Sequence, residues 1–273
     1  MRSPWIRTLL GWLKTTPVAV WIAGLVIAPN LILLFYSLWS SRMGVLSHEL
    51  TLENYGRIFT SDQIPQLLTR TVVVASISAL IATLLGFVIA YVVVRQFPRM
   101  KWVITMLVVI PLWISFLMRI FSWKVILGDQ GVLNGLLINL GVIDKPASIF
   151  LYSPYTVVMA LVYAGFPYAY LACFVTLNRI PVRLYEAAAD LGGNGLITFR
   201  DVVWPIAKPA SGLAFTLVFV IAYGDYITPA LVGGLNGTMV GTTVVQAFGA
   251  MNNWPLGAAL AETTLVTGLI VVA

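Results

Sequence analysis

The chain has 273 residues, of which 60% are hydrophobic and 10% are charged, and its formal net charge is +6. Soluble domains carry about 25% charged residues, so this composition excludes a soluble enzyme and a disordered protein. The single cysteine, Cys173, excludes an intrachain disulfide and a cysteine metal cluster. Lys and Arg are scattered without a run of five or more. This distribution favours membrane orientation over nucleic-acid binding.

Six segments are apolar over roughly the 20 residues that a membrane-spanning helix needs. We predict a helix for each of them: 18–39, 71–94, 102–121, 155–177, 210–232 and 256–273. Basic residues precede the first segment, as in a secretory signal, but its apolar run is too long and lacks a small-residue cleavage site. We interpret it as a retained span. The sixth segment ends with the chain and has no basic flank, from which we expect either a C-terminal truncation or an early stop.

The basic residues between the spans predict the orientation. With the N-terminus inside, ten of the 16 Lys and Arg residues fall on the cytoplasmic side, as the positive-inside rule requires. The sequence therefore predicts an all-α polytopic protein, with one membrane domain over 1–273 and both termini in the cytoplasm. Between the third and fourth spans, residues 125–143 carry apolar residues at helical spacing. They predict an amphipathic helix at the outer interface.

Four prolines lie inside the predicted spans: Pro29, Pro111, Pro167 and Pro229. Each removes a backbone donor and predicts a kink in its helix. Such kinks could serve as bend points or could be static.

The loop between the fourth and fifth spans, 181–209, differs from the rest of the chain. Residues 186–191 are strong helix formers, and Gly192 is the residue type that ends a helix. A second short helix is predicted over 196–203. Small residues in this loop permit close approach of a partner backbone. Taken by itself, the loop could equally be a solvated connection.

The spacing in this loop resembles the EAA motif of ABC importer permeases. The motif's Glu-Ala-Ala, glycine, aliphatic residue and proline are matched by Glu186, Ala187, Ala188, Gly192, Val202 and Pro205. Valine at 202 stands where isoleucine is usual, and tryptophan at 204 where leucine is usual. The resemblance covers nearly the whole chain. It implies the type I ABC importer permease fold with six spans, in which this loop forms a coupling helix that docks on a cytoplasmic ATPase subunit.

Within that family the chain is most similar to the B-type permeases of spermidine/putrescine transporters. The similar residues are Thr51-Leu52-Glu53-Asn54-Tyr55, Arg119-Ile120, Gly131-Val132-Leu133-Asn134, 141–144 and 253–259. The resemblance implies a bacterial inner-membrane permease that imports polyamines, paired with a second permease, two ATPase subunits and a periplasmic binding protein. ATP and Mg would bind to the ATPase subunits. This chain lacks the Gly-x-x-x-x-Gly-Lys-Ser/Thr phosphate loop, and no catalytic or metal residue is assigned to it.

Two acidic residues fall inside predicted spans, where ionisable groups usually face a cavity. Asp225 lies 15 residues into the fifth span and Glu262 lies six residues into the sixth, both toward the outer side. Carboxylates and aromatic faces suit an alkylammonium chain. We therefore predict both acids as substrate-pathway candidates, together with the aromatic residues Tyr163, Phe166, Tyr170, Tyr223 and Tyr226. In the alternative interpretation, Arg119 pairs with one of the acids and the aromatic residues are packing.

Other functions stay open at this point. A permease of the same architecture could carry an opine, another organic cation, a carboxylate or a phosphonate. An ion-coupled secondary transporter would use the two acids as proton or sodium sites, but no match between the first and last three spans supports an internal repeat. A membrane-embedded enzyme is disfavoured because the sequence shows no catalytic cluster. Copurification with an ATPase separates the first class from the others.

Overall fold

The chain is a series of helices joined by short loops, as its apolar segments predict. The computed structural model describes residues 4–42, 45–147 and 150–272. The contacts divide the chain into two compact units, the first over Met1–Pro65 and Thr243–Ile270 and the second over Gln66–Thr242 and Val271–Ala273. Within the described residues, five helices are long and apolar enough to cross a membrane, and a bent pair brings the number to as many as six.

The first unit joins the two ends of the chain. Its elements are α1 (Pro4–Ser37), the antiparallel strands β1 (Ser40–Arg42) and β2 (Val45–Ser47), α2 (Glu53–Thr60) and α12 (Trp254–Val272). Its small core consists of Ile58 on α2 against Ala259 and Leu260 on α12. The hairpin is a minor departure from the predicted all-α fold, which is otherwise confirmed.

The Glu-Asn-Tyr sequence at the start of α2 has a structural role. The Asn54 side-chain amide donates to the backbone carbonyls of Ser37 (3.0 Å) and Trp39 (2.7 Å). The hydroxyl of Tyr55 lies 2.8 Å from that of Ser37. Because the last carbonyls of a helix lack partners within the helix, these bonds satisfy the end of α1 and fasten α2 to it.

The second unit holds the remaining helices, except that residues 243–248 of the helix Val240–Phe248 belong to the first unit. They are α3 (Gln63–Gln96), α4 (Lys101–Val109), α5 (Phe116–Leu127), α6 (Val132–Asn139), α7 (Pro154–Leu177), α8 (Val182–Asp190), α9 (Gly195–Thr198), α10 (Trp204–Tyr223) and α11 (Val240–Phe248). Helix α7 packs closely against α3 and α10, because a glycine lies at each of these two contacts. A Cβ on Gly86 of α3 would lie 2.7 Å from the Tyr170 nitrogen, and one on Gly165 of α7 would lie 2.4 Å from a Val218 methyl of α10.

The bounds of the predicted spans agree with the structure in some places and are too narrow in others. The helix predicted over 155–177 is α7, and the one predicted over 256–273 is α12. Helices α1 and α3 are each 34 residues long and extend well beyond the predicted 18–39 and 71–94. Hydropathy detects the apolar part of such a helix and misses its polar ends.

The third predicted span, 102–121, is wrong as a single helix. After α4 the chain makes a 3-10 turn at Ile110–Trp113, and α5 begins at Phe116, so that the two arms are bent by 92°. Pro111 lies in this turn, where its missing N–H cannot continue the α-helical ladder. At Pro111, where the sequence predicted a kink, the helix is therefore interrupted completely.

The amphipathic helix predicted over 125–143 is also wrong as one element. Helix α5 ends at Leu127 and α6 occupies Val132–Asn139, with a turn between them. A Cβ on Gly131 would lie 2.4 Å from the carbonyl oxygen of Ile126. The backbone therefore folds back so closely on α5 that a side chain at position 131 would clash.

The fifth predicted span, 210–232, starts too late and ends too late. Helix α9, a π turn at Phe199–Val203 and α10 run on from Gly195 to Tyr223. The short helix predicted over 196–203 therefore continues past Pro205, because the π turn ends two positions before the proline and accommodates its missing donor. Beyond Tyr223 the chain leaves the helix and then forms a second π turn at Pro229–Gly233.

Candidate functional site

The α8–α9 corner, residues 182–198, contains most of the EAA-like motif and has a well-defined geometry. Helix α8 ends with Gly192 at φ +80°, a conformation that side chains disfavour. The N–H groups of Gly192 and Gly193 donate to the carbonyls of Ala189 (2.9 Å) and Ala188 (2.8 Å). These bonds close the helix end as in a Schellman-type cap. The predicted helix end at Gly192 is confirmed.

The second arm of the corner is started by Asn194. Its side-chain Oδ1 accepts from the backbone N–H groups of Leu196 (3.1 Å) and Ile197 (2.9 Å). Asparagine is a preferred N-cap because it satisfies donors that the first helical turn leaves free. The sequence analysis did not single out this residue, although an Asn two positions before an apolar run is a usable signal.

Three leucines are exposed on the outward side of the corner. Leu191 is 90% exposed and Leu196 is 75% exposed, and Leu184 is also exposed. Among the motif residues, Glu186, Ala187, Gly192 and Pro205 are exposed, whereas Ala188 and Val202 are half-buried. Large aliphatic side chains gain about 25 cal/mol for each Å² removed from water. A cluster of them at a turn is typical of a surface that a partner covers. Sequence analysis missed these leucines.

The inward side of the corner is held by aromatic residues. The half-buried rings of Tyr185 and Phe199 pack against the main core. The guanidinium of Arg95 on α3 lies 3.7 Å above the Tyr185 ring, a cation–π contact. Burial raises the pKa of the Tyr185 hydroxyl, and the nearby Arg95 charge partly offsets this rise. The contact joins residues about 90 positions apart, so no local pattern indicated it.

Asp225 does not lie inside the fifth helix, which corrects its predicted position. It follows the end of α10 by two residues and is 7% exposed. Its Oδ1 accepts from the N–H groups of Ile227 (2.8 Å) and Thr228 (3.2 Å), and its Oδ2 accepts from the Thr228 hydroxyl. The carboxylate therefore caps the turn that leads to Pro229. The helix-ending Gly224 immediately before it was the sequence signal for this role.

Arg119 on α5 is 7% exposed, with its Cζ 5.5 Å from the centre of the Phe116 ring. Its Nε and Nη1 atoms are buried and have no hydrogen-bond partner in the part of the chain that the structure describes. Within that same part, neither Asp225 nor Glu262 forms an ion pair. The alternative that Arg119 pairs with Asp225, which lies in the same unit, is therefore not realised in this structure.

Glu262 lies on α12 of the first unit. It lines a cleft of about 290 Å³ with apolar residues of α1 and with Asn30. Its Oε1 atom is buried and has no hydrogen-bond partner among the described residues. The two acids thus differ. The Asp225 carboxylate accepts three hydrogen bonds from neighbouring residues, whereas the Oε1 atom of Glu262 accepts none from the described residues.

The aromatic candidates divide between the core and the surface. The Tyr170 ring is fully buried, and its hydroxyl lies 2.9 Å from that of Thr105. Tyr223 is 6% exposed and stacks on Phe219 with ring centres 5.3 Å apart. These two rings occupy packing positions, as the alternative interpretation holds.

The other three aromatic candidates keep exposed surface. Tyr163 and Phe166 are half-buried, and Tyr226 is 44% exposed. Tyr163 contacts Trp123 edge-on, with ring centres 5.5 Å apart. These three rings therefore differ from Tyr170 and Tyr223, which are buried.

The comparisons with known proteins agree on one family. No protein-family model matches the chain. The chain is 31% identical over 241 residues to the spermidine/putrescine transport system permease protein PotB of Haemophilus influenzae, covering 88% of this chain and 84% of that protein. It is 30% identical over 267 residues to the protein of the same name from Escherichia coli, covering 97% and 93%.

The solved structures agree on the fold. A chain of a bacterial ABC transporter involved in the import of the acidic polysaccharide alginate has a TM-score of 0.78, covering 97% of this chain and 93% of that chain. At 14% identity, this likeness concerns the fold alone.

Proposed function

The chain belongs to the permease subunits of ABC importers, and on that premise we propose that it carries spermidine, putrescine or related polyamines across the bacterial inner membrane. The chain is not itself the ATPase of such a system. ATP and Mg would bind to two separate ATPase subunits, which hydrolyse the nucleotide. The names and extent of the relatives support the substrate class, and the uncompensated Glu262 oxygen agrees with a cationic substrate.

The observation that carries the ATP-driven part of the proposal is the exposed apolar side of the α8–α9 corner. Leu191 and Leu196 extend from a turn in which backbone hydrogen bonds close the end of α8 and the Asn194 side chain caps the start of α9. We call the exposed surface of these two leucines the apolar knob. Such a knob suits a groove on an ATPase subunit. Glu186, Ala187, Ala188, Gly192, Val202 and Pro205 would form the coupling surface there.

The rest of the assembly follows from the family. A second permease would complete the membrane passage as a heterodimer, and a periplasmic binding protein would deliver the substrate. The N-terminus would lie in the cytoplasm, as the distribution of basic residues favours. Nucleic acid has no place in this proposal.

The proposed pathway keeps all seven candidates and ranks them by their accessibility. The exposed ring of Tyr226 ranks first, with the half-buried rings of Tyr163 and Phe166 next. Glu262 is half-buried, and it stays a candidate because its buried Oε1 has no hydrogen-bond partner among the described residues. A carboxylate binds an ammonium group by a charge-assisted hydrogen bond, and an aromatic face adds a cation–π contact. The three buried candidates would not contact the polyamine themselves and would position the residues that line the passage. They are Tyr170, Tyr223 and Asp225.

Uptake by the reconstituted transporter tests the proposal. The chain is produced with its operon neighbours and placed in proteoliposomes, and entry of labelled spermidine and putrescine is followed with ATP inside. We expect uptake that needs both ATP and the binding protein, and that is lost when the phosphate-loop lysine of the ATPase is replaced. ATP-driven uptake of a different solute, with no polyamine uptake, would overturn the substrate class and leave the permease assignment intact.

A further inference from the structure

Helix α3 is attached to the α8–α9 corner and its continuation at several points. Phe87, Tyr91 and Arg95 lie four residues apart and so share one helix face. The Phe199 ring stands edge-on to Phe87 (6.0 Å) and to Tyr91 (5.7 Å). Arg95 covers the Tyr185 ring at 3.7 Å. We call these five residues the aromatic latch.

The aromatic latch joins α3 to the first arm of the corner and to the π turn that follows the second arm. Tyr185 is part of α8 and directly precedes Glu186, so the Arg95 contact holds the helix that carries the motif's Glu-Ala-Ala sequence. Phe199 belongs to the π turn after the second arm, and the Trp204 ring that follows is also edge-on to Phe87 (5.9 Å). The C-terminal half of α3 therefore contacts both α8 and the start of the continuation after α9.

The N-terminal end of α3 is tied to a different part of the chain. The Arg70 guanidinium donates to the carbonyl of Asn236 (3.1 Å). The buried N–H of Val240 donates to the hydroxyl of Thr71 (2.9 Å). Residues 236–240 connect the π turn after Asp225 to α11, so this end of α3 holds the break in the chain that follows the fifth span.

Between these ends α3 is uninterrupted. It has no proline after Pro65, and the 24 steps from Thr71 to Arg95 span about 36 Å at 1.5 Å per residue. The hydroxyls of Ser78 and Thr83 are buried and have no hydrogen-bond partner among the described residues. The middle of the helix is thus held by packing, and the polar and cation–π ties lie toward its ends.

We propose that α3 is a strut that transmits movement of the α8–α9 corner to the 236–240 segment, with the aromatic latch as its attachment to the corner. The inference rests on the proposed function, since it is ATP binding in the partner subunits that would move the corner. Tyr185 and Arg95 act here as positioning residues. Coupling requires an element whose equilibrium both sites bias, and an uninterrupted helix attached at both ends is suited to be that element.

Hydrogen exchange on the complete transporter tests the strut without reference to the substrate. Amide exchange is compared with and without a non-hydrolysable ATP analogue. In the wild type we expect protection to change both at 182–193 and at 236–242. In the Tyr185→Leu variant we expect the change at 182–193 to persist and the change at 236–242 to be lost. Tyr185→Phe, which keeps the ring under Arg95, is the matched control and should behave as the wild type.

The other end of the strut gives a second, independent set of variants. Thr71→Val removes the acceptor of the Val240 N–H, whereas Thr71→Ser keeps it. We expect the valine variant to lose the response at 236–242 and the serine variant to retain it. Thr264→Val, which removes a hydroxyl that bonds within its own helix α12, controls for the loss of a threonine elsewhere.

Transport measured per ATP hydrolysed gives the functional readout. For Tyr185→Leu and Thr71→Val we expect ATPase activity near that of the wild type and uptake per ATP lower by roughly tenfold, the scale of a coupling change. A parallel fall of both activities, or an unchanged response at 236–242 in both variants, would overturn the strut. If the wild type takes up no polyamine, the proposed substrate fails, and the exchange experiment still decides the strut.

Discussion

Two breaks in the chain use the same local device in opposite surroundings. At the α8–α9 corner, a helix ends at glycine and the Oδ1 of Asn194 accepts from two backbone N–H groups. After α10, the chain leaves the helix at Gly224 and the Oδ1 of Asp225 accepts from two backbone N–H groups. The first cap is exposed and the second is buried. We therefore expect the buried cap at Asp225 to contribute more to stability than the exposed cap at Asn194. The exposed cap would chiefly hold the surface of the corner in place.

The largest effect is expected at the buried break. Asp225→Ala leaves two backbone N–H groups and the Thr228 hydroxyl without their acceptor, which costs about 2–4 kcal/mol of unfolding free energy by the usual cost of a lost cap and of unsatisfied buried donors. Chemical unfolding in detergent micelles measures this loss. Asp225→Asn keeps an acceptor oxygen and should recover most of the stability.

The same pair of variants separates the cap from the charge. If Asp225→Asn folds normally and transports polyamine at the wild-type rate, its carboxylate charge has no essential part in the pathway. We expect this result because the carboxylate already accepts from its own chain. A strong loss of uptake in the well-folded Asn variant would restore Asp225 as a direct substrate contact.

A smaller effect on stability is expected at the end of α8. Gly192→Ala places a Cβ in the left-handed region at φ +80°, which costs about 1–2 kcal/mol. No atom lies within 4 Å of the added Cβ, so the cost is conformational alone. Gly195→Ala, whose glycine also has open space and lacks the positive φ, is the control and should be neutral or stabilising. Equal losses in both variants would contradict this account.

The exposed cap should matter less again. Asn194→Ala removes the acceptor of two N–H groups that water can reach, so we expect about 0.5–1 kcal/mol. Asn194→Asp and Asn194→Ser keep a side-chain oxygen and should be near the wild type. If Asn194→Ala cost as much as Asp225→Ala, burial would not be the deciding difference between the two breaks.

Substitutions in the apolar knob should have the smallest effect on stability. They should nevertheless have a large effect on binding of the ATPase subunit. Leu191→Ser and Leu196→Ser alter side chains that are 90% and 75% exposed, so unfolding should change by less than about 0.5 kcal/mol. Copurification of the ATPase subunit should nevertheless fall sharply in the double variant. Leu235→Ser is the matched control, since Leu235 is 93% exposed and lies outside the corner. Wild-type recovery of the ATPase with the double variant would remove the docking role.

The two acids show where sequence reasoning succeeds and where it stops. Hydropathy placed Asp225 inside the fifth predicted span, yet the helix ends at Tyr223 and Asp225 lies in the turn that follows. Arg119 was expected as a possible partner of either acid, and the structure leaves its Nε and Nη1 without hydrogen-bond partners among the described residues. Which polar groups meet inside a membrane protein depends on how its helices pack, and a single sequence does not specify that packing.

The sequence by itself determined the properties that depend on neighbouring residues. It established the membrane class through hydropathy, the helix end at Gly192 through backbone preference, and the family through the spacing from Glu186 to Pro205. The tertiary structure alone decided the break at Pro111, the capping role of Asp225 and the contact of Arg95 with Tyr185. These features arise from contacts between distant segments or from local competition between helix and turn. Packing resolves that competition, and local preferences do not.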